Sequence, residues 1–264
     1  KDGLQQVNHP FDASFSTRYN SEFWDMIEIF ESMEIWNGAT PFAAGTINAK
    51  AFKKWLSLLD EGKRLTATTG SDTHNIYGDD YFGMTEWLDW LMDIVMKHPE
   101  IYPEQMNEKV AYLTWLYKKV WPRLLSWVEQ SNTPSTIHNY AYTNGKNQPQ
   151  EILQAIREGH SFISNGPLIT AEINGVSYGD TATLKDNTGK LSVHVFSKKP
   201  INHLWMYTGV DKKVEICTGS GSLEGGFAYD IVTDEFDFGG ASWALFVADG
   251  GENNLAISNP ILFA

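Results

Sequence analysis

The 264-residue chain has one cysteine, Cys217. A lone thiol excludes an internal disulfide and a cysteine-built zinc knuckle. Positive charge is scarce as well. Twenty lysines and arginines face 33 aspartates and glutamates, for a net charge of −13, and four of the cations are arginines: Arg18, Arg64, Arg123 and Arg157. That balance repels nucleic acid and anionic membrane surfaces, so neither is an expected partner. No run of about 18 or more apolar residues occurs, which argues against a membrane-spanning helix. The opening KDGLQQVNHP has no apolar signal-peptide core, so no targeting segment is expected within the chain. What is present suffices for a sizeable core: 42% hydrophobic residues, 13% aromatics and ten tryptophans. The length suits one large domain or two modest ones.

The pattern along the chain predicts α/β structure followed by all-β structure. Leu4 to Pro10 reads as a short strand stopped by proline, which cannot continue a ladder. Glu22 to Ser32 reads as helical. Met33 to Asn37 alternates and ends at Gly38, as a strand does. Ala51, Phe52, Trp55, Leu56 and Leu59 recur at helical spacing over Asn48–Glu61, with Gly62 just beyond. The threonine-rich Arg64 to Thr69 then reads as a strand running into Gly70-Ser71-Asp72-Thr73-His74. Strand, helix, strand in this order predicts parallel βαβ units.

Residues 78–135 carry helical patterns and five of the ten tryptophans, and read as a helical insertion or lid. Ile137 to Thr143 reads as a strand and Gln150 to Glu158 as a helix closed by Gly159. After Asn165-Gly166-Pro167 the pattern turns to short strands separated by Gly- and Asp-rich turns, which predicts a β-sandwich over 166–264.

Asp72 and His74 are two apart, so on a strand they share a face. A carboxylate and an imidazole side by side suit a borderline divalent ion such as zinc, manganese or iron. His9 also ends an expected strand and can join them, with Pro10 fixing the backbone behind it. Arg64 and Arg157 are the candidates for holding an anionic substrate, since guanidinium binds phosphate through paired hydrogen bonds. Glu34 reads as an ordinary strand carboxylate. His138 reads as a satisfied polar residue, and His194 and His203 as structural.

Several motifs occur in order: VNHP at 7–10, MEIWNG at 33–38, TTGSDTH at 68–74, AIREGHSFISNGPL at 155–168 and ISNPILF at 257–263. Together they resemble the PHP (polymerase and histidinol phosphatase) superfamily of metal-dependent hydrolases, in its CehA/McbA-like branch. The resemblance implies a distorted seven-stranded β/α barrel whose C-terminal part is residues 1–165. It implies two or three divalent ions at the strand ends, with His9, Asp72 and His74 among their ligands. It also implies metal-activated water as the nucleophile toward a phosphoester. The family's first H-x-H motif and further ligands precede the H-P motif and have no counterpart here. The expectation is therefore a missing N-terminal segment of the same protein, or a complementing chain, that completes the site.

The expected activity is hydrolysis of a small-molecule phosphoester by a bacterial enzyme, with an ester, amide or carbamate also open to a metal-bound hydroxide. The sequence does not name a proton donor. It leaves the cytoplasm and the periplasm or exterior equally open. The alternative from another class is a degenerate scaffold whose β-sandwich binds carbohydrate or a partner surface.

Overall fold

The computed structural model describes residues 3–11, 19, 21–38, 42–71, 97, 137–217, 221–223, 225–251 and 254–264. All of these except Ser71 and Lys97 belong to one compact unit formed by 1–70 and 135–264. Residues 71–134 form a second unit. The expected helical insertion at 78–135, and Asp72 and His74 with it, lie outside the described residues.

The N-terminal part is a βαβ arrangement. β1 (Gln6–Val7), β2 (Ser32–Asn37) and β3 (Thr66–Gly70) pair in parallel in that order. Helix α1 (Ser21–Asp25) precedes β2, and the expected single helix at 22–32 instead stops there and resumes as one 3₁₀ turn at Ile27–Ile29. Helix α2 (Ile47–Asp60) connects β2 to β3 where the apolar spacing predicts it. The Thr46 hydroxyl caps it by accepting the Ala49 N–H at 3.3 Å, and Gly62 ends it at φ +79°, a conformation that costs glycine little. Trp55 on α2 is fully buried, and its indole N–H donates to the Leu65 carbonyl at 2.8 Å.

The rest of the unit is antiparallel for the most part. β4 (His138–Ala141), α3 (Pro149–Arg157) and β5 (Ser161–Ser164) come first. β6 (Leu168–Ile173), β7 (Val176–Ser177), β8 (Thr181–Ala182) and β9 (Thr188–Ser197) follow. Then come β10 (His203–Gly209), β11 (Lys212–Cys217), β12 (Gly221–Leu223) and β13 (Gly226–Asp237). β14 (Trp243–Asp249), β15 (Leu255–Ser258) and β16 (Ile261–Phe263) close the chain. A five-stranded sheet has the order β12-β13-β9-β6-β7. An eight-stranded sheet runs β11-β10-β14-β15-β5-β4, with β16 and β8 attached beside β14.

The eight-stranded sheet is a middle layer, and alternation along its strands sorts the two cores. Leu204, Met206, Phe246 and Ala256 pack with Ile169, Leu191 and Val193 of the five-stranded sheet. Leu245, Val247, Leu255 and Ile257 pack on the opposite side with Trp55, Leu56, Met33 and Ile35. Because both faces of β14 are covered, its first six residues are all buried, and the strand reads WALFVAD without polar alternation.

The expected half of a seven-stranded β/α barrel is overturned: the protein is mostly β, and its parallel sheet stops at three strands among the described residues. The next strands do not extend that sheet. β4 pairs antiparallel with β5, and β5 pairs antiparallel with β15. Helix α3 therefore joins two antiparallel neighbours, which a barrel repeat cannot do.

The physical reason lies at the outer edge of β3, which is closed by side chains instead of a strand. Ala67 N–H donates to Asn259 Oδ1 at 2.7 Å, and the Ala67 carbonyl accepts from Asn259 Nδ2 at 3.4 Å. Two residues on, Thr69 N–H donates to Asn139 Oδ1 at 3.0 Å and its carbonyl accepts from Asn139 Nδ2 at 2.8 Å. Asn259 Nδ2 also donates to the Ser161 carbonyl at 2.8 Å, so one fully buried amide fastens β3 to β5.

Replacing Asn259 by alanine strands several buried backbone groups, each costing about 1–3 kcal/mol. The Asn259→Ala variant is expected to lose about 3 kcal/mol in urea unfolding. Lys53→Ala, which removes an exposed pair with Asp211 at 3.5 Å, is expected to change stability by no more than about 0.5 kcal/mol.

Candidate functional site

Parallel strands bring their C-terminal ends to one edge, so β1, β2 and β3 deliver Asn8-His9, Asn37-Gly38 and Gly70 to the same side of the sheet. Gly38 N–H donates to the Gly70 carbonyl at 2.7 Å and ties two of those ends together. Helix α2 is bolted to the same edge. Asn37 N–H donates to Asn48 Oδ1 at 2.8 Å, and Asn48 Nδ2 donates to the Asn37 carbonyl at 3.0 Å.

His9 stands at φ +31°, a backbone conformation that costs a non-glycine residue about 1–3 kcal/mol unless its surroundings hold it. Its N–H donates to Glu34 Oε2 at 2.5 Å. Its ring nitrogen Nδ1 is buried and has no hydrogen-bond partner among the described residues. Pro10 behind it is buried.

Glu34 lies in the middle of β2 and is only 5% exposed. Immediately after it the register slips: Glu34 stands opposite Thr68, but Trp36 stands opposite Thr69, so Ile35 is an extra residue. A bulge of this kind re-aims the side chains beside it. One oxygen of the Glu34 carboxylate takes the His9 N–H, and the other lies over Gly70. A Cβ on residue 70 would sit 2.7 Å from Oε1, so the carboxylate occupies the room a side chain would need there. The Thr68 hydroxyl next to it is buried and without a partner among the described residues. The Tyr19 hydroxyl has its pKa raised, first by burial and then by the negative charge of Glu34.

The edge thus gathers one bare imidazole nitrogen, one buried carboxylate and one unpartnered hydroxyl. Imidazole nitrogen and carboxylate oxygen are donors that zinc, manganese and iron accept. Among the described residues the orphaned Nδ1 is a donor that fits such an ion, while the Glu34 carboxylate is taken up by the His9 N–H and the space over Gly70. Among the described residues, no group of three or more His, Cys, Asp or Glu is arranged to hold a metal. The other two expected ligands, Asp72 and His74, follow Gly70 in the chain by two and four residues and lie outside the described ones.

Arg64 and Arg157, the expected anion-binding pair, meet at the opposite end of β3. They line a cavity of about 340 Å³ together with Glu158, His160 and Asp180. β3 has five residues, so its two ends are roughly 13 Å apart. Arg157 is engaged at each of its three nitrogens: Nε donates to Glu31 Oε1 at 2.9 Å, Nη1 to Gln154 Oε1 at 3.0 Å and Nη2 to the Gly3 carbonyl at 2.8 Å. It braces α3 against the segments before β1 and β2.

The other histidines divide simply. His194 meets Asp230 at 2.7 Å and His203 meets Glu215 at 2.5 Å, both on the antiparallel sheets. His160 lies 3.1 Å from Asp180 and 3.4 Å from Glu158. His138 is exposed at the start of β4.

Glu34 is the residue that sequence reasoning passed over. Its signal was available: in MEIWN, Met33 and Ile35 claim one face, and a carboxylate at 34 must then lie among buried groups if both faces are covered. Comparison with known proteins returned no match to a family model, a curated protein or a solved structure.

Arg157→Ala is expected to lower the unfolding free energy by about 1 kcal/mol, because its guanidinium is partly solvated. The same variant is expected to leave divalent-ion binding by the purified protein unchanged in a chelator competition, because the brace stands at the far end of β3.

Proposed function

We propose that this protein is a metal-dependent hydrolase acting on a small-molecule phosphoester. The observation that carries the reading is the Nδ1 of His9, buried and without a partner among the described residues, at the C-terminal edge of the parallel strands, where the His9 N–H meets the buried Glu34 carboxylate. A solvent-excluded imidazole nitrogen without a hydrogen bond is costly to keep, and a bound cation is the partner that suits it. In this reading His9, Asp72 and His74 are the ligands, the last two supplied by the D-x-H sequence that follows β3.

A divalent ion held there supplies an activated water and neutralises charge on the developing anion. The chain's own residues do the rest. His9 presents its buried Nδ1 for coordination. Glu34 and the Gly70 carbonyl region fix the edge on which the ion rests. The acidic balance of the chain, −13, favours a small substrate over a nucleic-acid polymer. These donors suffice for one ion. A second and third, as the resemblance implies, need donors from another segment or chain.

A second reading, carbohydrate binding, is favoured by one separate feature. Phe42, Phe52, Trp205 and Tyr207 line a cavity of about 380 Å³ whose rim carries Lys213 and Asp249. Its size lies in the range of small-ligand sites, and rings flanked by one cation and one anion suit a neutral sugar. The Lys213 ammonium stands 4.0 Å from the Trp205 ring centroid, so one face of that ring is already covered.

The deciding experiment is elemental analysis of the protein after incubation with zinc or manganese and desalting. About one equivalent is expected, lost when Asp72 and His74 are both alanine and reduced at least about 10-fold in affinity in His9→Ala. Retained metal should coincide with phosphate release from an aryl phosphoester. Absence of metal in the unaltered protein, with tryptophan fluorescence that responds to monosaccharides and ceases to respond in Tyr207→Ala, would replace the hydrolase reading with the sugar-binding one.

A further inference from the structure

We propose that Glu34 is the positioning residue of the His9 centre, and that it acts on the histidine's backbone and not on its ring. This rests on the metal-hydrolase reading and adds to it the element that sets the direction of the ligand.

Four observations converge. First, His9 adopts φ +31°, which a residue with a side chain does not hold by preference, and the bond that secures it is its N–H to Glu34 Oε2 at 2.5 Å. The direction of the imidazole follows from that backbone, because Cβ leaves the chain wherever φ and ψ put it. Second, His9 Nδ1 makes no hydrogen bond among the described residues, so no contact there with them fixes the ring. A coordinating histidine is ordinarily oriented by a hydrogen bond to its second nitrogen; here the Glu34 carboxylate also holds its main chain. Third, the second oxygen of Glu34 occupies the room that the missing side chain at residue 70 leaves, where a Cβ would stand 2.7 Å from it. Glycine at 70 is thus a requirement of where the carboxylate sits. Fourth, the bulge at Ile35 sets the register at which Glu34 emerges, so that β1 and β3 flank it.

The arrangement makes Glu34 a clasp across three strand ends. It receives a proton donor from the end of β1, is carried by β2, and rests over the end of β3. Shifting it lets the His9 backbone relax and turns Nδ1 away from the ion. The amide of a glutamine retains an oxygen that accepts the same N–H, so the charge of residue 34 is dispensable and its acceptor is not.

The test is zinc affinity by chelator competition, together with the visible spectrum of the cobalt(II)-loaded protein, in the unaltered protein and in Glu34→Ala, Glu34→Gln and Gly70→Ala. Glu34→Ala and Gly70→Ala are expected to bind zinc about 10–100-fold more weakly, with an altered cobalt spectrum. Glu34→Gln is expected to restore affinity to within about 3-fold of the unaltered protein and to keep its spectrum. Equal loss in Glu34→Gln and Glu34→Ala would make Glu34 a direct ligand and overturn positioning. Lower unfolding midpoints with unchanged zinc affinity in all three would make it merely structural, and overturn it too. If Glu34→Ala does not fold, Gly70→Ala and Glu34→Gln decide, since both keep a polar group at 34. An unaltered protein that binds neither ion overturns the hydrolase reading itself, a result distinct from any difference among the variants.

Discussion

The edge of β3 is where the fold is decided. A parallel strand with free N–H and carbonyl groups along one side asks for another strand. Here two asparagine amides answer instead, Asn259 on Ala67 and Asn139 on Thr69. A carboxamide offers one donor and one acceptor at the spacing of a peptide group, so it satisfies the edge while ending the sheet. The described strands that follow, β4 to β16, all join the other two sheets. The same device recurs where Asn48 pairs with Asn37; at Leu255 the Asn165 side-chain oxygen accepts the N–H while the Asn165 backbone N–H serves the carbonyl.

This substitution also accounts for what was legible in the sequence and what was not. Helix α2 was readable because Ala51, Trp55, Leu56 and Leu59 repeat at its period and Gly62 ends it; its burial follows from the same residues. The parallel pairing of β2 with β3 followed from their connection through that helix. The barrel was not there to be read. Its expectation came from the order of motifs, and motif order carries no information about whether an edge continues. The asparagines that stop it, at 139 and 259, lie 70 and 192 residues from their partners, a separation that local pattern cannot bridge. The short helix at 21–25 was misjudged in length because Phe23, Ile27 and Phe30 satisfy a helical spacing even though the chain passes through a 3₁₀ turn.

For the candidate site, the position of His9 at the end of a parallel strand was legible from the proline that follows it. Glu34 was not, because a single acid in a strand is ordinarily a solvated one, and only the covering of both faces of the sheet makes it buried. The opposite assignment failed for a related reason. Arg64 and Arg157 do line one cavity, but the strand between them and His9 places them at its other end, and each of the three guanidinium nitrogens of Arg157 already serves a partner, Glu31, Gln154 or Gly3. Charge type suggested the pairing with substrate; topology assigned the residue to bracing.

The middle sheet has a consequence for how such a chain can be divided or inherited. Its neighbouring strands β5 and β15 come from 161–164 and 255–258, and they meet through Phe162–Ser258, Ile163–Ile257 and Ser164–Ala256. A recombination event that transplanted the segment after residue 165 onto another protein would carry β15 away from β5. It would bare a strand edge whose residues on both strands are buried at present. The C-terminal strands are therefore not a portable module. Whatever chemistry the parallel strands perform, the layer behind them must travel in the same gene.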